Sequence, residues 1–285
     1  MGTYAFEHND IQAGEVRLHV VQAGPVDGKP VILLHGFPDF WMGWRHQIGA
    51  LAEAGFRVIV PDQRGYNTSD RPSAITDYEL SRLVGDVVGL ADALGHHRFS
   101  LVGHDWGGIV AWAAGSLVAE RLDRLVILNA PHPNVFGPYV RRSPSQMLRS
   151  SYVGFFQIPW LPEMVLGAGN SAAMVAALKA SAREGAFTED DIARYRQSWQ
   201  QPGALTGMLN WYRALRLRRP LEEVNTTPTL VLWGLKDTAL EVGLAKKSLA
   251  LCTQGRLRTF DRATHWLQRE EPEAVNAAIL GFLAS

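Results

Sequence analysis

Apolar runs recur along the first third of the chain at residues 30–34, 56–60 and 99–102. Between them, around residues 41–54 and 78–94, apolar positions return every three or four residues, the period of an amphipathic helix. Short buried runs alternating with helical segments predict an α/β fold: a mostly parallel central sheet with helices on both faces. A further buried run, Leu125-Val126-Ile127-Leu128, precedes Asn129-Ala130-Pro131-His132-Pro133. There the rhythm stops. From 135 to 217 the chain is rich in Trp, Phe, Tyr, Pro and Ser and has helical stretches but no strand-like run, which predicts a helical insertion. Strands resume at Thr229-Leu230-Val231-Leu232-Trp233 and near 256–260, and an amphipathic helix closes the chain at Pro272–Leu283. The expected organisation is a core over 1–134, the insertion over 135–217 and the second part of the core over 218–285.

Composition narrows the class. With 47% hydrophobic and 20% charged residues over 285 positions, the chain can bury one sizeable core. Its 28 basic and 28 acidic side chains cancel, so no global field draws it to nucleic acid or to an anionic membrane. Cys252 is the lone cysteine; it reads as a small buried hydrophobe and fits a reducing cytoplasm. The start of the chain shows no basic region followed by an apolar run, and no apolar stretch is read as approaching the ~20 residues that span a bilayer. Met1-Gly2 opens like a myristoylation signal, but Phe6 stands where that signal wants Ser or Thr. Asn67-Thr68-Ser69 and Asn225-Thr226-Thr227 match the glycosylation pattern, which matters only in a secreted chain.

The chemistry centres on Gly103-His104-Asp105-Trp106-Gly107. The pentapeptide follows a buried strand and opens a helical run, with glycine two before and two after Asp105. A nucleophile on so sharp a strand-to-helix turn needs small neighbours so that the two backbones can approach. Read alone, the pentapeptide favours a nucleophile over the alternative that Asp105 is a helix N-cap. As a nucleophile, its carboxylate is ionised at neutral pH without help from a base. Attack on an ester carbonyl would give a reactive anhydride, whereas attack on a saturated carbon gives an ordinary ester that water can later cleave. Epoxides and alkyl halides are the substrates this favours.

His265, in a loop between the last strand and the final helix, stands where the order nucleophile, acid, histidine places a base that activates water. Asp237, directly after a strand, would accept a hydrogen bond from His265 and fix its tautomer. The other strand end from which an acid could reach this histidine carries Asn129. The turn His35-Gly36-Phe37-Pro38 can aim the Phe37 N–H at the same point as that of Trp106, an oxyanion hole for the intermediate formed when water attacks the ester. Each residue has a structural alternative: turn punctuation for Gly36 and Pro38, a turn aspartate for Asp237, a structural histidine for His265.

These segments resemble the epoxide hydrolases of the α/β-hydrolase fold. The likeness extends through Trp41, Trp44 and Arg45, Arg64-Gly65-Tyr66 with Ser69, residues 129–136, Tyr152-Val153-Gly154-Phe155-Phe156-Gln157 and Asn210-Trp211-Tyr212-Arg213. The resemblance implies that the insertion is a helical cap, that Tyr152 and Tyr212 reach over the nucleophile to bind the epoxide oxygen, and that Phe37, Trp106, Phe156 and Gln157 contact substrate. Without it, two tyrosines in an aromatic-rich stretch read as core. With it, two phenols suit a leaving alkoxide, which needs a proton as a halide does not. The partner implied is a small apolar epoxide; no metal or cofactor is called for, and a homodimer is left open. Thr264 and Asn67 stand where many relatives have Gly, which bears on loop geometry. The rivals are a haloalkane dehalogenase, which commonly has Asn or Glu in place of Phe37 and lacks the paired tyrosines, and a non-catalytic ligand-binding relative.

Overall fold

The computed structural model describes residues 5–221 and 224–285; the Met1-Gly2 opening lies outside them. Strands β1 (Glu7–Ala13) and β2 (Val16–Ala23) form an antiparallel hairpin. Strands β3 (Lys29–Leu34), β4 (Phe56–Pro61), β5 (Phe99–His104), β6 (Leu122–Leu128), β7 (Thr229–Gly234) and β8 (Gly255–Phe260) continue the sheet. Its order is β1-β2-β4-β3-β5-β6-β7-β8, antiparallel where β2 meets β4 and parallel from β4 onward. The six parallel strands are the six that the apolar runs predict. The hairpin is an addition to that reading: the side chains of β1 are almost all exposed, so it carries no apolar signal.

Both faces of the central strands are covered, as their unbroken apolar runs require. Val31 and Leu33 pack with α1 (Arg45–Glu53) and with Val275 and Ile279 near the C-terminus, while Ile32 and Leu34 pack with α2 (Leu80–Ala93) and α3 (Trp106–Leu117). Each such buried Val, Ile or Leu contributes about 1.5–3 kcal/mol. The chain leaves β3 toward β4 on one flank and β5 toward β6 on the other, so the loops after β3 and β5 diverge. A crevice opens at their carboxyl ends, the usual ligand position in such sheets.

Between β6 and β7 the described residues form helices and no strand: α4 (Pro133–Val140), α5 (Pro144–Arg149), α6 (Tyr152–Phe156), α7 (Leu161–Ala180), α8 (Glu189–Trp199) and α9 (Ala204–Arg213). They dock over that crevice through buried polar contacts. Tyr195 on α8 donates to Asp39 at 2.6 Å, the Trp199 indole to the Pro38 carbonyl at 2.6 Å, and the Trp211 indole on α9 to the Arg64 carbonyl at 3.0 Å. The sequence reading of membrane spans needs correction, because Leu161–Ala180 is long and apolar enough to cross a bilayer by length and composition. Its path is broken, however: Gly169, Asn170 and Ser171 adopt left-handed backbone, leaving two helices each too short to span. After β7 come α10 (Val242–Leu249), α11 (Leu267–Glu270) and α12 (Pro272–Leu283).

Candidate active site

Asp105 sits between β5 and α3 with φ 51° and ψ −120°, a conformation that L-residues avoid and that surrounding packing must hold. The glycines make the turn feasible. A Cβ on Gly103 would collide with the Gly107 backbone, one on Gly107 with the Leu34 carbonyl, and one on Gly36 with Asp105 itself. The Phe37 N–H donates to Asp105 Oδ1 at 2.8 Å. Trp106 opens α3, where an N–H has no acceptor within the helix.

The loop after β8 brings His265 to the other carboxylate oxygen, with Nε2 3.6 Å from Asp105 Oδ2. On its far side His265 Nδ1 lies 2.8 Å from Asp237 Oδ2. Asp237 is held on all sides: its Oδ1 accepts the Ala239 and Leu240 N–H groups at 2.8 and 2.9 Å, and its Oδ2 also accepts the Asn129 amide. Asn129 therefore supports the acid from the strand end next to it. Thr264 anchors the histidine loop, its N–H and hydroxyl both donating to Glu270 at 2.7 Å. The sequence raised Thr264 only as a departure in loop geometry; it is a fixed point of that loop.

Charge in this line is strongly coupled. Burial alone would lower the pKa of His265, but the Asp237 and Asp105 carboxylates outweigh it and push it up to about 10. Burial would raise both carboxyls, and His265 together with the hydrogen-bond donors around them more than offsets that, holding each below its ordinary value. The resting arrangement at neutral pH is thus an imidazolium between two carboxylates. Beneath it lies His104, a residue the sequence assigned no role. Its Nε2–H donates to the His265 carbonyl at 2.8 Å, and burial drops its pKa to about 3, so it stays neutral.

Tyr152 and Tyr212 arrive from α6 and α9, their ring centroids 5.9 Å apart. Both phenols are raised above their ordinary pKa, first by desolvation and, among the charges, by Asp105; Tyr212 also feels Tyr152. Arg213 ties the two segments together. It pairs with Glu163 at 2.7 Å and donates to the Phe156 and Ile158 carbonyls. Tyr66, buried under Trp211, is a third phenol beside this cluster, with no hydrogen-bond partner among the described residues.

A narrow cavity of about 40 Å³ has Asp105, Trp106, Tyr152 and Tyr212 in its wall. Ile109, Pro131, Leu215, Arg218 and Leu240 complete much of it; of these, Pro131 lies in the resembling segment 129–136. Phe37, Phe156 and Gln157 are not in that wall. Phe37 reaches Asp105 through its N–H while its ring packs on Phe156 and Tyr212. The Gln157 amide donates to the Tyr212 carbonyl at 2.8 Å, behind the phenol.

The described residues contain no group of three or more side chains suited to a metal ion. The alpha/beta hydrolase fold family matches residues 29–272, and the chain belongs to that family of enzymes. Among its relatives are Epoxide hydrolase 4 of Homo sapiens, 38% identical over 99% of this chain and 79% of that one, and the AB hydrolase superfamily protein YfhM of Bacillus subtilis, 43% identical over 96% of both. The crystal structure of Bacillus megaterium epoxide hydrolase in complex with an inhibitor aligns with a TM-score of 0.88 at 29% identity, covering 98% of this chain and all of that one. Within the α/β hydrolases this chain falls among the epoxide hydrolases.

Proposed function

We propose that this protein opens epoxides to vicinal diols through a covalent ester on Asp105. The observation that carries the reading is the shared cavity, in which a fixed carboxylate faces two protonated phenols. Asp105 attacks an epoxide carbon; its Oδ–C bond forms as the ring C–O bond breaks, and the ring oxygen takes a proton from Tyr152 or Tyr212. Forming the ester removes the Asp105 charge. That charge acts with Asp237 in raising the pKa of His265, and it adds to the desolvation that raises both phenols. Its loss therefore makes the phenols more acidic as the alkoxide needs a proton. It also lowers the pKa of His265, whose proton passes by way of solvent to the tyrosinate, leaving a neutral imidazole and a restored phenol.

Neutral His265, aligned by Asp237, then takes a proton from water as the water oxygen attacks the Asp105 carbonyl. The Phe37 and Trp106 N–H groups stabilise the resulting oxyanion. Collapse breaks the ester C–O bond, and the proton of the added hydroxyl passes to the leaving diol oxygen, which restores the Asp105 carboxylate beside a protonated His265. In this reading residues 135–217 act as the cap that brings the phenols over the nucleophile, with Phe156 and Gln157 backing them. The Trp106 indole interacts with Tyr212, which suits oxygen binding by the phenol more than halide binding by the indole. Purified protein tested side by side on aromatic and aliphatic epoxides and on haloalkanes should release diol. Dominant halide release would replace this reading with a dehalogenase.

A further inference from the structure

A buried ion pair lies under the cap, outside the catalytic line. Arg64, in the loop after β4, donates from Nε and Nη2 to the two carboxylate oxygens of Asp86 on α2, and from Nη1 to the Asp77 carbonyl at 2.5 Å. The two side chains are only 3% and 10% exposed, and neither lines the cavity at Asp105. For stability alone such a pair recovers little beyond its desolvation cost, and apolar side chains of similar volume would serve as well or better. The fork does something that apolar packing does not. Its donors are engaged by two carboxylate oxygens and a carbonyl in one plane, which leaves the guanidinium a single position and clamps the loop that carries it.

The backbone of that loop holds the cap helix with the phenol. The Arg64 carbonyl accepts the Trp211 indole N–H at 3.0 Å, and Trp211 and Asp86 border the same small void. The Trp211 ring packs against Tyr66 and Trp106, at 5.6 Å between centroids in each case. Its neighbour on α9 is Tyr212, whose ring meets Trp106 at 5.0 Å beside the nucleophile. Contacts therefore run without a gap from Asp86 through Arg64 and Trp211 to Tyr212. We propose that Arg64 and Asp86 are positioning residues for ring opening, which set the Tyr212 phenol at the height where it meets the departing oxygen. This rests on the epoxide reading above and assigns the pair to the first of its two steps.

The test compares two reagents that alkylate Asp105 and differ in their need for a proton. In both, an Asp105 oxygen bonds to carbon as the leaving atom departs with the bonding electrons. Styrene oxide leaves an alkoxide, which a phenol must protonate, whereas benzyl bromide leaves bromide, which needs no proton. Rates of mass gain, with the adduct mapped to Asp105, are measured in His265→Gln protein so that the ester persists. Arg64→Lys, Asp86→Asn and the double variant Arg64→Met/Asp86→Leu are added to that parent; the double variant fills the space of the pair with apolar side chains and leaves no charge buried alone. Alkylation by styrene oxide should fall about ten- to a hundredfold in Asp86→Asn and in the double variant, and less in Arg64→Lys. Alkylation by benzyl bromide should stay within about twofold of the parent. A loss on both reagents alike shows a general loss of the folded site and overturns the assignment, as does an unchanged styrene oxide rate in the double variant. A parent alkylated by benzyl bromide and not by styrene oxide removes the epoxide reading, and the assignment with it.

Discussion

At the scale of single residues, Asp105 sets the state of its neighbours. Its charge, together with that of Asp237, pushes the pKa of His265 up to about 10, so under the proposed mechanism the histidine becomes a base only once Asp105 is esterified. A His265→Gln variant should therefore alkylate Asp105 and stop. Diol turnover should drop by at least about a hundredfold, and intact mass should rise by the mass of one epoxide. Unchanged turnover with no added mass would remove His265 from the second step. Asp105, His265 and Asp237 could be proposed from short local motifs and their order along the chain, and Tyr152 and Tyr212 only from the family resemblance. His104 was not legible, because it enters through a contact with a carbonyl distant in sequence.

Elements place these residues through close backbone approaches. Helix α9 carries Tyr212 and rests on the loop after β4, where a Cβ on Gly207 would lie 2.6 Å from the Gly65 carbonyl oxygen. Gly65 has φ 89° and cannot readily move aside. A Gly207→Ala variant should lift α9 and its phenol by a fraction of an ångström. The expected result is a fall in kcat of about ten- to a hundredfold with the far-UV circular dichroism unchanged; wild-type kcat would show that α9 does not fix Tyr212. The strands that bury both faces were readable from their unbroken apolar runs. β1 was not, since its exposed side chains leave only backbone pairing to define it. The break in α7 also escaped the apolar pattern, which does not register Gly169 and Asn170, residue types that tolerate left-handed backbone.

For the whole molecule, the parallel sheet and the helical excursion followed from the rhythm of the sequence. The docking of that excursion did not, because it depends on pairs such as Tyr195 with Asp39 that no local pattern links. The buried triad also couples folding to pH. His265 has a folded pKa above its ordinary 6.5. Its contribution to stability is complete below about pH 6.5 and is lost as pH rises through about 10. Asp105 and Asp237 are shifted the other way, so their contribution is present above their ordinary 3.8 and is lost as pH falls through their folded values. The difference in melting temperature between wild type and His265→Gln should shrink from pH 6.5 to pH 10; a constant difference would deny the raised pKa. The most direct test of Asp105 as nucleophile is a single turnover by excess enzyme in ¹⁸O-labelled water. The label should enter the Asp105 carboxylate and be absent from the first diol released, whereas label in that diol with none in Asp105 would mean that water attacks the epoxide directly.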